Sequence, residues 1–385
     1  MTTDPDGVAP PSLRTVLREW GRIGCIGFGG PPTHIALLRE LCVRRRKWLP
    51  EREFEDAIAT CNLLPGPAST QLAIFCAWRL RGRAGALVGG LAFIVPGLIV
   101  ILALAALFLT GTPPVWVRGA GAGAGAAVAA VAVHAGVGLV PASWQRAAGT
   151  SRLRWVLYLV AAGAAAATVG PWLVLVLLAC GGIELLVRHR GTALVALLPG
   201  KALAAGVGTL SSVAWVAFKV GALSYGGGFV IIPLMRADAV DHYHWMTGDQ
   251  FLNAVALGQI TPGPVVQTVA VVGYSAAGLV GGVIASVIAF TPSFAFVLLG
   301  ARHFDRLRGN DHVRAFLDGA GPAAIGAIFG SAVPLAITLT QPWQFAVLGG
   351  AAILLLALRR GVVATLLIAA LAGVVLAVVG AGIPR

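Results

Sequence analysis

Long apolar stretches separated by short polar ones run from residue 13 to residue 383. They fall into two matching series. The first holds segments at 13–42, 54–78, 84–110, 115–140, 155–168 and 172–187. The second holds segments at 203–235, 251–274, 279–300, 313–338, 343–358 and 362–380. The longest are long enough to cross a hydrocarbon layer of about 30 Å as helices. In each series the second segment is broken by Pro-Gly-Pro, at Pro65-Gly66-Pro67 and at Pro262-Gly263-Pro264. Proline has no N–H, and the residue before it avoids the helical region, so a helix stops there. The arms on either side, about a dozen residues each, are too short to cross a bilayer alone.

The matching extends to individual residues. A shift of 197 positions lays 28–67 on 225–264 without a gap. Phe28-Gly29-Gly30 falls on Tyr225-Gly226-Gly227, Arg39 on Arg236, Trp48 on Trp245 and Phe54 on Phe251. The aligned stretch of 40 positions holds 13 identities. A duplicated, helix-breaking motif in an apolar chain is the sequence mark of a carrier built from two repeats around a midplane site. The expected units are a tail at 1–12, a first repeat at 13–190, a linker at 191–202 and a second repeat at 203–383.

Composition strengthens the membrane reading. The chain is 58% hydrophobic and 11% charged, with mean hydropathy +0.87. A large soluble core does not account for such values. The start, with Asp4, Asp6 and several prolines, has no apolar core of a cleaved signal peptide. The net charge of +13 sits in short loops. That distribution is the positive-inside bias rather than a nucleic-acid surface. The five cysteines form no CxxC pair and no zinc spacing, and read as small packing residues.

Charge also orders the topology. The loop with Arg44, Arg45, Arg46 and Lys47 is basic, and so is the polar loop with Arg79, Arg81 and Arg83. Both belong in the cytoplasm. A single span between them would leave one outside. A re-entrant hairpin turning at Pro65-Gly66-Pro67 removes the conflict. Continued along the chain, this model puts the basic clusters at 146–154, 188–201, 302–314 and 359–360 inside. The loop with Asp238, Asp241 and Asp249 falls outside. The second copy is then upside down relative to the first. The expected fold is an all-α polytopic membrane protein with two inverted-topology repeats, about 10 transmembrane helices and two re-entrant Pro-Gly-Pro hairpins. The alternative is 12 spans with a parallel repeat. Arg14, Arg18 and Arg22, on one helix face, fit poorly with an outside N-terminus.

Candidate chemistry gathers at the breaks. A helix starting after Pro67 offers unpaired N–H groups, a partial positive charge and the polar side chains of Ser69, Thr70 and Gln71, with Asn62 upstream. The second copy offers Gln259, Thr261, Gln267 and Thr268. The alternative is a kink that only shapes packing. Arg22 and Lys219 stand at matched offsets before the Gly-rich motifs. Either they attract an anion or they reach the interface. His34, Glu55 and Asp56 have no acidic or imidazole counterpart in the second copy and are proton-coupling candidates. A solvated hairpin base is the other reading of the two carboxylates. There is no G-x-S-x-G, H-E-x-x-H or P-loop, so neither an enzyme nor an ATP-driven pump is expected.

At these motifs the chain resembles the chromate ion transporter family. The residues that carry the likeness are Arg22 to Pro31 with Phe28-Gly29-Gly30, Asn62 to Gln71, Tyr225 to Gly228 with Pro233, and Thr261 to Val266. The resemblance covers 13–383, in the long-chain, two-domain form. It implies export of chromate, with sulfate as a structural analogue, from a bacterial cytoplasm across the inner membrane. It also implies coupling to the membrane potential or to protons, and a place in chromate resistance. An anion channel and an oxyanion uptake carrier are the alternatives. The partners expected are the oxyanion and the lipid bilayer, with a homodimer left open and no nucleic acid. No cofactor or metal is expected.

Overall fold

The computed structural model describes residues 11–62, 64, 66–109, 113–147, 151–168, 173–188, 208–224, 231–300 and 310–383. Pro65, Tyr225, Gly226, Gly227, the linker 191–202 and most of the tail, all named above, lie outside the described residues.

All regular elements among the described residues are helical. The first half holds α1 (Leu13–Ile26), α2 (Pro31–Arg39), α3 (Glu51–Cys61), α4 (Ala68–Phe108), α5 (Val115–Arg146), α6 (Ser151–Thr168) and α7 (Leu173–Arg188). The second holds α8 (Thr209–Leu223), α9 (Ile231–Arg236), α10 (Gly248–Ile260), α11 (Thr268–Gly300), α12 (Asp311–Ile337), α13 (Pro342–Ala352) and α14 (Val362–Val378). Four helical stretches, Ala68–Phe108, Val115–Arg146, Val265–Gly300 and Asp311–Ile337, are long and apolar enough to cross a bilayer.

Local chemistry sets the ends. Ser12 caps α1 by accepting the Thr15 N–H at 3.2 Å. Pro31 opens α2, where a missing N–H costs nothing. Thr247 and Gln250 form a capping box at α10. Both α2 and α9 widen into a π-turn, Glu40–Arg45 and Ala237–His242, that ends in a left-handed residue, Lys47 or His244.

The sequence reading expected a polar loop around Arg79, Arg81 and Arg83. The structure has a two-residue reversal instead. Arg81 and Gly82 leave helical geometry, with φ of −140° and +59°. Ala277 and Gly278 do the same in α11, at −150° and +62°. The chain folds straight back. Gly85 lies on the Ala77 carbonyl, and Gly273 and Gly281 meet backbone to backbone. Small residues make so tight a reversal possible.

The two arms of each hairpin meet again at their far ends. Arg79 Nε pairs with Glu53, which sets the far end of the first return arm beside the start of α3. Ser275 donates its hydroxyl proton to the Trp245 carbonyl at 2.7 Å and does the same for α10.

The spans pack through small residues. Gly24 of α1 lies against the Ala92 and Phe93 carbonyls of α4, and Gly221 of α8 against Ala289 of α11. Asn253 of α10 covers Gly121 near the start of α5. The outer surface carries exposed Leu91, Ile99, Val160, Val287 and Leu371, as a lipid-facing surface requires. At the end of α7, Glu184 is 2% exposed and holds three partners. Arg154 grips it with two bonds of 2.7 and 3.0 Å. Arg188 adds one at 2.8 Å and the Tyr158 hydroxyl one at 3.2 Å.

Candidate substrate site at the hairpin tips

Each hairpin tip is anchored by the opposite half. The Gly66 N–H donates to the Ser224 carbonyl at 2.7 Å, and the Gly263 N–H donates to the Gly27 carbonyl at 3.0 Å. Gly27 and Ser224 are the residues where α1 and α8 stop. So four helix breaks, two from each half, meet in one place.

Glycine is required at the first tip on two counts. Its φ is +118°, where a side chain is strained. A Cβ there would also stand 2.5 Å from Gln71 Nε2 and 3.3 Å from Ser293 Oγ. Gly263 has φ +93°, but its nearest foreign atoms would be 3.8 Å away.

Pro67 precedes α4, and its carbonyl takes the Thr70 and Gln71 amides at 2.9 and 3.0 Å. Neither α4 nor the turn Val265–Gln267 has a side-chain cap, and their first amides find no partner one turn back among the described residues. Ser69, Thr70, Gln71, Gln259, Thr261, Gln267 and Thr268 are all buried. Several serve the protein itself. Thr261 donates to Leu257 O at 2.9 Å and Thr268 to Val265 O at 2.8 Å. Gln267 donates to Ile94 O at 3.0 Å and accepts from Ser286 at 3.1 Å, tying α11 to α4.

Buried polar atoms with no partner among the described residues include Thr70 Oγ1, Gln259 Nε2, Ser224 Oγ and Ser293 Oγ. A buried orphan costs about 1–3 kcal/mol unless something fills it. Ser224 and Ser293 escaped the sequence reading. The repeat could have found them, because Ser224 falls on Gly27 and Ser293 follows Pro292 as Gly97 follows Pro96.

His34 is fully buried. Its Nε2 lies 2.9 Å from Gly27 O and its Nδ1 3.2 Å from Ser69 Oγ. A carbonyl only accepts, so Nε2 carries a proton. In the neutral ring Nδ1 then accepts the Ser69 hydroxyl. This imidazole joins the anchor of one tip to the helix start of the other. Its T-shaped neighbour is Phe93, with ring centroids 5.0 Å apart.

The other candidates stand apart. Phe28 and Gly29 are exposed and Gly30 is buried. Arg22 is exposed, whereas the Lys219 ammonium bonds Asp238 at 2.6 Å. Glu55 is exposed and paired with Arg39, and Asp56 is half-buried on the same arm. Asn62 is exposed toward a cavity of about 170 Å³ beside Gly66. No cluster of three or more His, Cys, Asp or Glu suited to a metal occurs among the described residues.

Helices of spanning length, joined tip to break across two halves and sheathed in apolar side chains, define a multi-pass helical membrane protein. A sequence model of the chromate transporter family matches residues 14–184 and 211–375. The chain belongs to that family. It is 31% identical over 343 residues to a chromate transport protein of Cupriavidus metallidurans, covering 84% of this chain and 83% of the relative. It is 30% identical over 356 residues to one from Pseudomonas aeruginosa, covering 86% and 83%. A probable chromate transport protein of Synechococcus elongatus is 29% identical, covering 84% of each. No solved structure matches the chain.

Proposed function

We propose that this protein is a secondary active transporter that exports chromate, or a related tetrahedral oxyanion such as sulfate, from a bacterial cytoplasm across the inner membrane. Family membership supports chromate as cargo. The observation that carries the mechanism is the meeting of the two hairpin tips, each held by the other half's first helix break. Helix N-termini and unfilled hydroxyl and amide groups lie around that meeting point. Preformed donors in a dry site suit a dianion.

The architecture proposed is two inverted repeats, 13–190 and 203–383, each of five spans and one re-entrant hairpin. Three relationships support it. The Arg79–Glu53 and Ser275–Trp245 contacts bring each hairpin back to its own starting end. The first tip lies near the end of α5, at a cavity shared with Arg146, whereas α10 lies near its start, at Gly121. The reversals in α4 and α11 share one backbone geometry.

Energetics favour export. With the inside negative, one charge crossing 100 mV is worth about 2.3 kcal/mol, so a dianion leaving gains roughly twice that. His34, bridging the two tips, is the proton-coupling residue that this arrangement favours, ahead of Glu55 and Asp56. The test is counterflow in proteoliposomes with labelled chromate, sulfate, molybdate and phosphate. Saturable exchange of one or more tetrahedral dianions is expected. Single-channel currents without counterflow would replace the carrier with a channel.

A further inference from the structure

The cavity beside the first tip is lined by one charged side chain, Arg146, which it shares with a neighbouring cluster of charges. It measures about 170 Å³. At about 30 Å³ per water that is room for roughly five waters, enough for a tetrahedral oxyanion of five heavy atoms. Asn62 and Gly66 form one wall, Ser143 and Arg146 of α5 a second, and Gly321 and Ala324 of α12 a third.

Among the described residues, the charges beside Arg146 do not balance. Arg154 and Arg188 hold Glu184. Arg188 also bonds Asp318 at 2.9 Å, whereas Arg146 reaches Asp318 only at 3.9 Å. Among the described residues three guanidinium groups thus face two carboxylates, and the loosely held one, Arg146, lines the cavity. Ser143 Oγ accepts the Trp155 indole N–H at 2.9 Å, which leaves its own proton to donate. Asn62 adds an amide donor. In the other half the corresponding space is filled, since the Asn253 amide lies on Gly121 and Leu252 on Gly125.

We propose that this cavity is the waiting site for the tetrahedral dianion on the cytoplasmic side, with Arg146 as the capturing cation and Asp318 as the internal anion it leaves. The inference rests on the oxyanion-carrier reading above. Arg146, held to Asp318 only at 3.9 Å, turns to the dianion when it enters. Asn62 then passes the ion toward Gly66 and the start of α4. The packed counterpart at Gly121 keeps the opposite side shut meanwhile.

Two measurements test it. The first is the half-saturation concentration of chromate on the cytoplasmic face in oriented vesicles. Arg146→Gln should raise it about ten-fold, as expected for one lost charge-assisted bond, with the maximum rate little changed. Arg146→Lys should raise it less, since it keeps the charge and loses the fork. The second uses Ala142→Cys in a cysteine-free chain. Alkylation by a charged maleimide should be slowed by molybdate, a dianion that does not oxidise thiols, and the slowing should vanish when Arg146→Gln is added. A transporting protein whose half-saturation and alkylation ignore the Arg146 changes overturns the waiting site. Absence of flux for every oxyanion overturns the carrier reading instead. Molybdate protection without flux would keep the site and remove the transport.

Discussion

The Gly66 amide donates to the Ser224 carbonyl at 2.7 Å, and the residues that match them in the repeat, Gly263 and Gly27, make the same bond at 3.0 Å. Two bonds related by exchange of halves close the centre of the molecule. Neither tip keeps its place without the other half's first helix break.

Substitution at the tips should therefore be graded. Gly66→Ala meets both a positive φ and the Gln71 amide, so it should abolish counterflow and lower thermal stability. Gly263→Ala meets strain alone, about 1–3 kcal/mol, and should retain part of the activity. Thermal unfolding in detergent beside counterflow checks the order; equal effects would remove the steric argument.

Topology can be read chemically. Cysteines placed at Arg45 and Arg81, both exposed, in a cysteine-free chain should be labelled by an impermeant reagent only from the cytoplasm. One at Asp241 should be labelled from outside. Labelling of positions 45 and 81 from opposite faces would eliminate the hairpin and favour 12 spans.

The Thr70 hydroxyl is buried without a partner among the described residues, whereas the Ser69 hydroxyl is engaged with His34. Thr70→Val should raise half-saturation for the oxyanion by about ten-fold, the worth of one charge-assisted bond. Ser69→Ala should act through His34 and change the pH profile of transport more than its half-saturation. A double Ser69→Ala, Thr70→Val variant with wild-type affinity and rate would make the Pro-Gly-Pro turns packing devices.

Lys219 and Arg22 call for different designs. Lys219→Gln strands the Asp238 carboxylate, which is 10% exposed. Added Asp238→Asn should restore thermal stability. Transport should stay weakened both in that double variant and in Arg22→Gln, through lost attraction for the dianion. Normal transport in both would assign the two cations to packing and the interface.

The helical segments were legible because apolar runs of spanning length and Pro-Gly-Pro breaks are local signals. α5, α12 and the part of α11 from 279 to 300 lie where the pattern puts them. The far ends of each pair of arms meet at Arg79–Glu53 and Ser275–Trp245, which fits the short arm lengths read from the sequence. The reversal at Arg81–Gly82 was not legible, since a basic cluster reads as a loop whether it holds two residues or eight. His34 was visible only as an unmatched imidazole. Its bonds to Gly27 and Ser69 depend on how α1, α2 and α4 come together. Ser224 and Ser293 are ordinary residues in sequence, and their meeting at Gly66 requires both halves to be in place. Arg146 read as one more cytoplasmic charge, because a cavity between α3, α5 and α12 leaves no periodicity behind.

The two-residue reversals at Arg81–Gly82 and Ala277–Gly278 have a mechanical consequence. Each return arm is welded to the long span that follows, with no slack between them. Residues 68–80 make a rigid rod of about 20 Å. A tilt of the 83–108 span by about 10° would therefore swing the Gly66 end by roughly 3–4 Å, more than the length of the bond that ties it to Ser224. The span works as a lever with the tip as its short stroke. Because the second rod is tied into the first helix break of the opposite half, the two levers are geared together, and one cannot lift without loading the other.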